Sequence, residues 1–190
     1  SSGAGKVDYG PVLVALKAYV EQHLAEFGLP GMTVGLADRD GFVATITAGW
    51  ANIDRAEPVA TSHLFQIGSI SKSITALAAF RLAQGGRLDL DSTAQSHLPG
   101  VPLPKTPFTI AQLLDHSTGL PDDAPFFPRG GDERLWLGFA PGSKMSYSNT
   151  GYGLVGMILE KIERKPYQKV VEDEVFRPLG MSGARASLVV

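Results

Sequence analysis

Ser69 and Lys72 stand three residues apart in the run Phe65-Gln66-Ile67-Gly68-Ser69-Ile70-Ser71-Lys72. On the first turn of a helix that spacing puts a hydroxyl and an amine on one face, close enough to meet. Such a pair is a minimal nucleophile and base, because a serine hydroxyl attacks a carbonyl only when a neighbour takes its proton. An amine does so where burial or a nearby positive pole lowers its proton affinity from an ordinary pKa of roughly 10.4. A helix start supplies such a pole, and its unpaired N–H groups, that of Ser69 among them, can face a developing oxyanion. Tyr147 and Asn149 form a second candidate set. A phenol near a cation exchanges a proton with a leaving group, and an amide both donates to and accepts from a substrate amide. Each set alone also has an ordinary structural explanation: serine and asparagine are common N-caps, lysine is common on surfaces, and tyrosine packs with its hydroxyl in solvent.

The elements that must hold these residues can be read from hydrophobic spacing. Ile74, Leu77, Ala78 and Leu82 recur at helical intervals after Ser69, and Gly85 or Gly86 supplies the stop. The run Ser73 to Phe80 carries no charge, so this helix is expected to be buried on most sides. Upstream, Pro11 opens an amphipathic helix with Leu13, Leu16, Val20, Leu24 and Phe27 on one stripe, ending at Gly28. Two strands follow, at 32–37 and 42–49, joined by a turn at Asp38-Arg39-Asp40-Gly41, and residues 50–64 read as a polar connection. Downstream, Thr109 and Gln112 match a capping box ahead of Ile110, Leu113 and Leu114. The short apolar run Leu135-Trp136-Leu137 could line a cleft or cover core, with core cover favoured for Trp136. A helix is expected from about Gly151 to Arg164, with Leu154, Val155, Ile158, Leu159 and Ile162 inward and a Glu160–Arg164 pair outward, and Pro166 opens a last helix through Phe176.

Composition narrows the function classes. A chain of 190 residues that is 44% hydrophobic can bury a sizeable core. A net charge of −2 provides no basic field, so nucleic acid is not an expected partner. There is no cysteine for disulfides or thiolate metal sites, and His23, His63, His97 and His116 lack ligand spacing, so neither metal nor cofactor is expected. No apolar run is long enough for a membrane span. Ser1-Ser2-Gly3-Ala4-Gly5 has neither the pattern of a signal peptide nor that of a natural start, and is expected to follow from processing or trimming.

Five blocks, in order, add a more specific signal: F-Q-I-G-S-I-S-K-S-I-T-A, G-R-L-D-L-D, L-L-D-H-S-T-G-L-P, P-G-S-K-M-S-Y-S-N-T-G-Y-G-L-V-G and V-F-R-P-L-G-M. Together they closely resemble the serine β-lactamase superfamily of the class C type, with its D,D-peptidase and esterase relatives. The resemblance implies an α/β (α+β) fold, an antiparallel sheet flanked by helices with an inserted, mostly helical region. Residues 1–64 would be the N-terminal part of the α/β domain, 65–183 the nucleophile helix and inserted region, and 184–190 the start of a return to the sheet. It implies that Ser69 forms an acyl-enzyme, that Lys72 and Tyr147 share the proton shuttle, and that Asn149 positions a substrate amide or its equivalent. His116, within the third block, is read as part of a helix end and turn beneath the site. The substrate would be a small molecule or peptide-like compound: an ester, an amide or a β-lactam. A periplasmic or secreted location is favoured.

Two departures from the family pattern carry expectations of their own. The spelling Tyr147-Ser148-Asn149 is more usual among peptidases and esterases than among dedicated class C enzymes. The third family motif, a Lys or His followed by a variable residue and Gly on a strand beside the serine, has no counterpart after Asn149. The sheet is therefore expected to be incomplete in this chain, and a C-terminal fragment or second chain to finish it. The alternative from another class is a penicillin- or peptidoglycan-binding module that acylates without turnover, or a catalytically inactive relative.

Overall fold

A computed structural model describes residues 7–126 and 135–186, and the chain divides into two compact units, Ser1–Phe65 and Gln66–Val190. The expectations for Ser1 to Gly5 and for residues 187–190 of the return segment lie outside the described residues.

In the first unit, helix α1 (Gly10–Phe27) begins with proline in its first turn and ends at Gly28, whose φ of 61° lets its N–H reach the Leu24 carbonyl. Its apolar stripe is shorter than the spacing implies: Val20 and Leu24 are buried with Ala48, whereas Phe27 is exposed. Strands β1 (Gly31–Asp38) and β2 (Gly41–Asn52) pair antiparallel from Gly31 opposite Gly49 to Asp38 opposite Gly41, with a bulge at Leu36/Ala37. The Asp38 carboxylate closes the turn by accepting the N–H groups of Asp40 and Gly41. Residues 50–64 are not all connection. β2 runs on to Asn52, Ala56 turns the chain with a φ of 48°, and β3 (Glu57–Pro58) pairs back on β2 to give an open sheet of order β1-β2-β3. A two-residue strand containing proline has no alternation to read, so hydrophobic patterning misses it.

In the second unit, a 3₁₀ turn (Gly68–Ile70) leads into helix α2 (Ser71–Gln84), capped by Gly85. Thr75, Ala78, Ala79 and Leu82 are buried, but Leu77 and Phe80 are exposed, so α2 buries one face and not most of its circumference. Uncharged residues do not imply burial, because apolar side chains also occur on the surface. Short helices α3 (Ala94–His97) and α4 (Ile110–Leu114) follow, and at α4 both arms of the capping box form between Thr109 and Gln112. Helix α5 (Asn149–Glu163) runs through the core with Leu154, Val155, Ile158 and Leu159 fully buried, each contributing about 1.5–3 kcal/mol of apolar burial. Helix α6 (Tyr167–Val171) continues as a π-helical turn, Glu172–Phe176, which buries Val175. Phe108, Ile110, Leu113, Leu120 and Val171 complete this core.

Two contacts in this unit differ from expectation. The Glu160 carboxylate accepts the Tyr167 N–H at 2.7 Å instead of pairing with Arg164, which is turned into a left-handed helix cap with φ 53°. Trp136 is 58% exposed and lines an open cleft of about 410 Å³ with Leu120, Phe139 and Met145, whereas Leu135 is buried. The alternation within Leu135-Trp136-Leu137 sends its middle member outward.

Candidate active site

Each candidate residue is delivered by a distinct local device. Gly68, with φ 53°, turns the chain into the 3₁₀ segment, so Ser69 projects from the front of α2 and Lys72 lies in that helix's first turn. Residues 116–122 then act as a template for the segment bearing Tyr147. Gly138 N–H donates to the Gly119 carbonyl at 2.8 Å, Gly142 N–H to Ser117 at 2.8 Å, and Ser146 N–H to His116 at 2.9 Å. Gly119 has a φ of 84°, and a Cβ there would stand 2.5 Å from the Phe139 carbonyl oxygen, so the close approach of the two segments requires glycine. Asn149 opens α5. Ser148, not Asn149, is the N-cap: its hydroxyl accepts the Gly151 N–H at 2.9 Å and donates to the Pro121 carbonyl at 2.8 Å. Asp122 accepts the Asn149 N–H at 3.1 Å at the positive end of the same helix.

These devices bring all four side chains together. The Ser69 Oγ lies 2.5 Å from the Tyr147 Oη, with either oxygen able to donate. Lys72 Nζ donates to Ser69 Oγ at 3.2 Å and to Asn149 Oδ1 at 2.5 Å, and stands 4.6 Å from the centre of the Tyr147 ring. The Lys72 side chain, and after it the Ser69 hydroxyl, hold the Tyr147 phenol below its ordinary pKa. Ser69 and Tyr147 are exposed, whereas Lys72 and Asn149 are half-buried behind them. The arrangement is a serine hydroxyl facing solvent, in contact with a phenol that gives up its proton more readily than usual and with an amine hydrogen-bonded to an amide. That set can move a proton off Ser69 and return one to a departing group.

Sequence reasoning did not assign Asp122, Ser148 or Tyr152 to this neighbourhood. Ser148 carried a usable signal, a serine three residues ahead of the glycine whose N–H it caps. Asp122 and Tyr152 carried none, since Asp122 reaches Asn149 across 27 residues and Tyr152 Oη donates to the Leu114 carbonyl across 38. Among the described residues, no group of three or more His, Cys, Asp or Glu side chains is gathered to hold a metal. No described helix is long and apolar enough to cross a membrane.

The profile of the Beta-lactamase family matches residues 16–188. This chain belongs to the Beta-lactamase family. Within it, Penicillin-binding protein 4* of Bacillus subtilis (strain 168) is 33% identical over 153 residues, an alignment covering 72% of this chain and 34% of that protein. The D-amino acid amidase from Ochrobactrum anthropi SV3, complexed with D-phenylalanine, superposes with a TM-score of 0.77 at 30% identity, over 91% of this chain and 52% of its own. A class C beta-lactamase superposes with a TM-score of 0.79 at 22% identity, over 94% of this chain and 52% of its own, which shows the shared fold. The Beta-lactamase-family chain thus spans about a third of the first relative and about half of the two solved structures. Its mixed helices and open antiparallel sheet are those of that fold.

Proposed function

We propose that the chain carries the nucleophile and proton shuttle of a serine hydrolase that works through an acyl-enzyme at Ser69. The observation that carries this reading is the hydrogen-bonded set Ser69, Lys72, Tyr147 and Asn149 at one helix start. In the reaction the Ser69 Oγ forms a bond to the substrate carbonyl carbon while its proton passes to the Tyr147–Lys72 pair. The carbonyl becomes a tetrahedral oxyanion, to which the Ser69 N–H contributes one donor. The C–N or C–O bond to the leaving group then breaks, and the pair returns the proton to that group. Water, deprotonated by the same pair, hydrolyses the acyl-enzyme. Asn149 holds the Lys72 amine in register and has a remaining amide N–H₂ for a substrate carbonyl.

The substrate class is an ester, a peptide-like amide or a β-lactam. The likeness to a D-amino acid amidase supports the amide, and the name of the Bacillus relative supports penicillin as an acylating agent. That second name also favours the alternative in which the chain acylates without turnover. We further propose that a segment beyond the described sheet, on the same or another chain, supplies the third motif and a second oxyanion donor, because among the described residues after Asn149 there is no strand to carry that motif.

The test is covalent labelling by a fluorophosphonate or a reactive β-lactam, with peptide mapping by mass spectrometry. Label on Ser69 is expected, and label on Ser71 or Ser148 with Ser69 free overturns the assignment. Turnover of chromogenic esters and amides that disappears in Ser69→Ala supports the hydrolase, whereas a stable adduct without turnover supports the binding module. Full activity of an isolated 190-residue chain, with no co-purifying fragment by intact mass, overturns the completing segment.

A further inference from the structure

His116 is an ionisable ring at the site that the proton shuttle leaves unused, and it brackets Tyr147 on both sides. Its carbonyl accepts the Ser146 N–H at 2.9 Å, and its ring Nδ1 accepts the Ser148 N–H at 3.1 Å. The residue between those two N–H groups is Tyr147. The imidazole also lies against the Tyr147 ring, centroids 4.7 Å apart at 31°, and against the Tyr152 ring at 5.1 Å and 40°. Tyr152 is itself held, its hydroxyl donating to the Leu114 carbonyl at 2.9 Å. His116 makes these contacts with a φ of 62°, a left-handed conformation uncommon outside glycine in which histidine, like asparagine and aspartate, is enriched.

We propose that His116, as a neutral imidazole protonated on Nε2, is the positioning residue that aims the Tyr147 phenol at Ser69, and that protonation of its Nδ1 releases Tyr147 and slows acylation at acid pH. The proposal rests on the reading of Ser69 and Tyr147 as a catalytic pair. Its chemistry follows from the ring's two nitrogens. An N–H can be accepted only by a nitrogen with a free lone pair, so the neutral ring carries its proton on Nε2. In the imidazolium both nitrogens are donors. The Ser148 N–H then faces another N–H, and the arm C-terminal to Tyr147 opens.

The groups facing the ring agree with a neutral state near pH 7. Lys72 approaches from α2, Tyr147 and Tyr152 from the segment entering and forming α5, Asp115 from the residue before, and Asp122 from the loop after α4 that meets the start of α5. Burial first, and the Lys72 ammonium second, push the imidazole below its ordinary pKa of 6.5, against the opposing pull of Asp115 and Asp122. The neutral, accepting form therefore persists to lower pH than for a free histidine.

The test compares the intact chain with His116→Asn and His116→Ala. Asparagine tolerates the left-handed conformation and offers Oδ1 to the same N–H, but it does not titrate in this range. Three readouts are taken: ¹⁵N shifts of the His116 ring with the Ser148 amide proton, the pKa of the Tyr147 phenol, and the rate of Ser69 labelling by a fluorophosphonate across pH 4.5–8. In the wild type, Nδ1 is expected to be unprotonated at neutral pH, and the Ser148 amide to shift with the ring's own midpoint, below 6.5. His116→Ala is expected to return the Tyr147 pKa toward 10 and to slow labelling by up to about 10²-fold, the scale of loss for a misplaced reacting group. His116→Asn is expected to recover the lowered Tyr147 pKa and most of the rate, without the part of the acid limb that follows the ring. A proton on Nδ1 at neutral pH, or a Tyr147 pKa indifferent to both substitutions, overturns the proposal, as does a wild-type acid limb in His116→Asn. If the wild-type Ser69 takes no label, the reading of the site fails, while the Ser148 amide and the Tyr147 phenol still decide whether His116 holds Tyr147.

Discussion

The two compact units are built on different terms. Gln66–Val190 has a continuous core in which Phe108, Ile110, Leu154, Ile158 and Leu159 are fully buried, drawn from helices far apart in sequence. Ser1–Phe65 buries Val20, Leu24 and Ala48 together, and its sheet ends on one side in a two-residue strand. The lesson is about location of chemistry. The proposed shuttle depends on a 2.5 Å contact between Ser69 and Tyr147, 78 residues apart, which needs walls that do not give, and all four candidate residues belong to the unit with the continuous core. The sheet unit leaves backbone donors and acceptors along its edges, as sheets that gain further strands do.

The sharpest way to break this contrast is to separate the units. Residues 66–190 expressed alone are expected to melt cooperatively with helical circular dichroism, and residues 1–65 alone to show no cooperative transition, since a short sheet with few buried side chains is marginal in water. Equal cooperativity in the two pieces would erase the distinction.

Truncations within the units come next. Leu154→Ala should cost about 3–5 kcal/mol in urea unfolding, because the core around it is closed, whereas Leu24→Ala should cost about 2 kcal/mol, the low end for a site that can relax. Similar losses at the two positions would mean that the first unit is packed more tightly than its small cluster of Val20, Leu24 and Ala48 indicates.

Ion pairs sharpen the same contrast at smaller scale. Arg87 bonds Glu163 at 2.9 Å and the nearly buried Glu174 at 2.8 Å, and Arg81 stands 3.6 Å from the same Glu174. Arg87→Met leaves a carboxylate in an apolar wall short of a partner and is expected to cost about 1–2 kcal/mol. The exposed Lys17–Glu21 pair of α1, 3.9 Å apart, should lose less than about 0.5 kcal/mol on Lys17→Met.

Acid should distinguish the units last and least. The His116 imidazole is held below its ordinary 6.5, so the unfolded chain binds its proton first, and the stability it contributes above that value is lost as pH falls through the folded pKa. In the first unit the Tyr9 hydroxyl, together with the Asp40 and Gly41 N–H groups, lowers the Asp38 carboxyl below its ordinary 3.8, so its contribution persists until pH falls beneath that value. Thermal melts between pH 7 and 3 should therefore lose an increment below pH 6.5 that His116→Asn abolishes, and a later one below pH 3.8 that Asp38→Asn abolishes.

What could be read without coordinates was what neighbouring residues decide between themselves. The capping box at Thr109, the helix stop at Gly28, the Asp-Gly hairpin and the inward faces of α5 all rest on interactions within a few residues, and each lies where its pattern put it. The pair Ser69 and Lys72 belongs to this class, because a spacing of three on a helical turn is itself a geometric statement. Tyr147 and Asn149 were legible as chemically capable side chains, and the ordered blocks tied them to Ser69 by resemblance.

Tertiary structure alone decided the rest. Whether Trp136 covers core or lines a cleft, which face of α2 is buried, and whether Glu160 takes Arg164 or the Tyr167 N–H all turn on which surfaces reach an element first, and a local pattern holds no record of that competition. The same is true of His116. Its sequence neighbours mark only a helix end, but the residues it grips, Ser146 and Ser148, lie thirty and more positions away and meet it because residues 116–122 template the return of the chain. The sequence by itself determined which groups were chemically capable of reaction and the local frames that present them. The fold determined their distances, their partners and the proton each one carries, because those depend on burial and on charges that only a closed chain brings together.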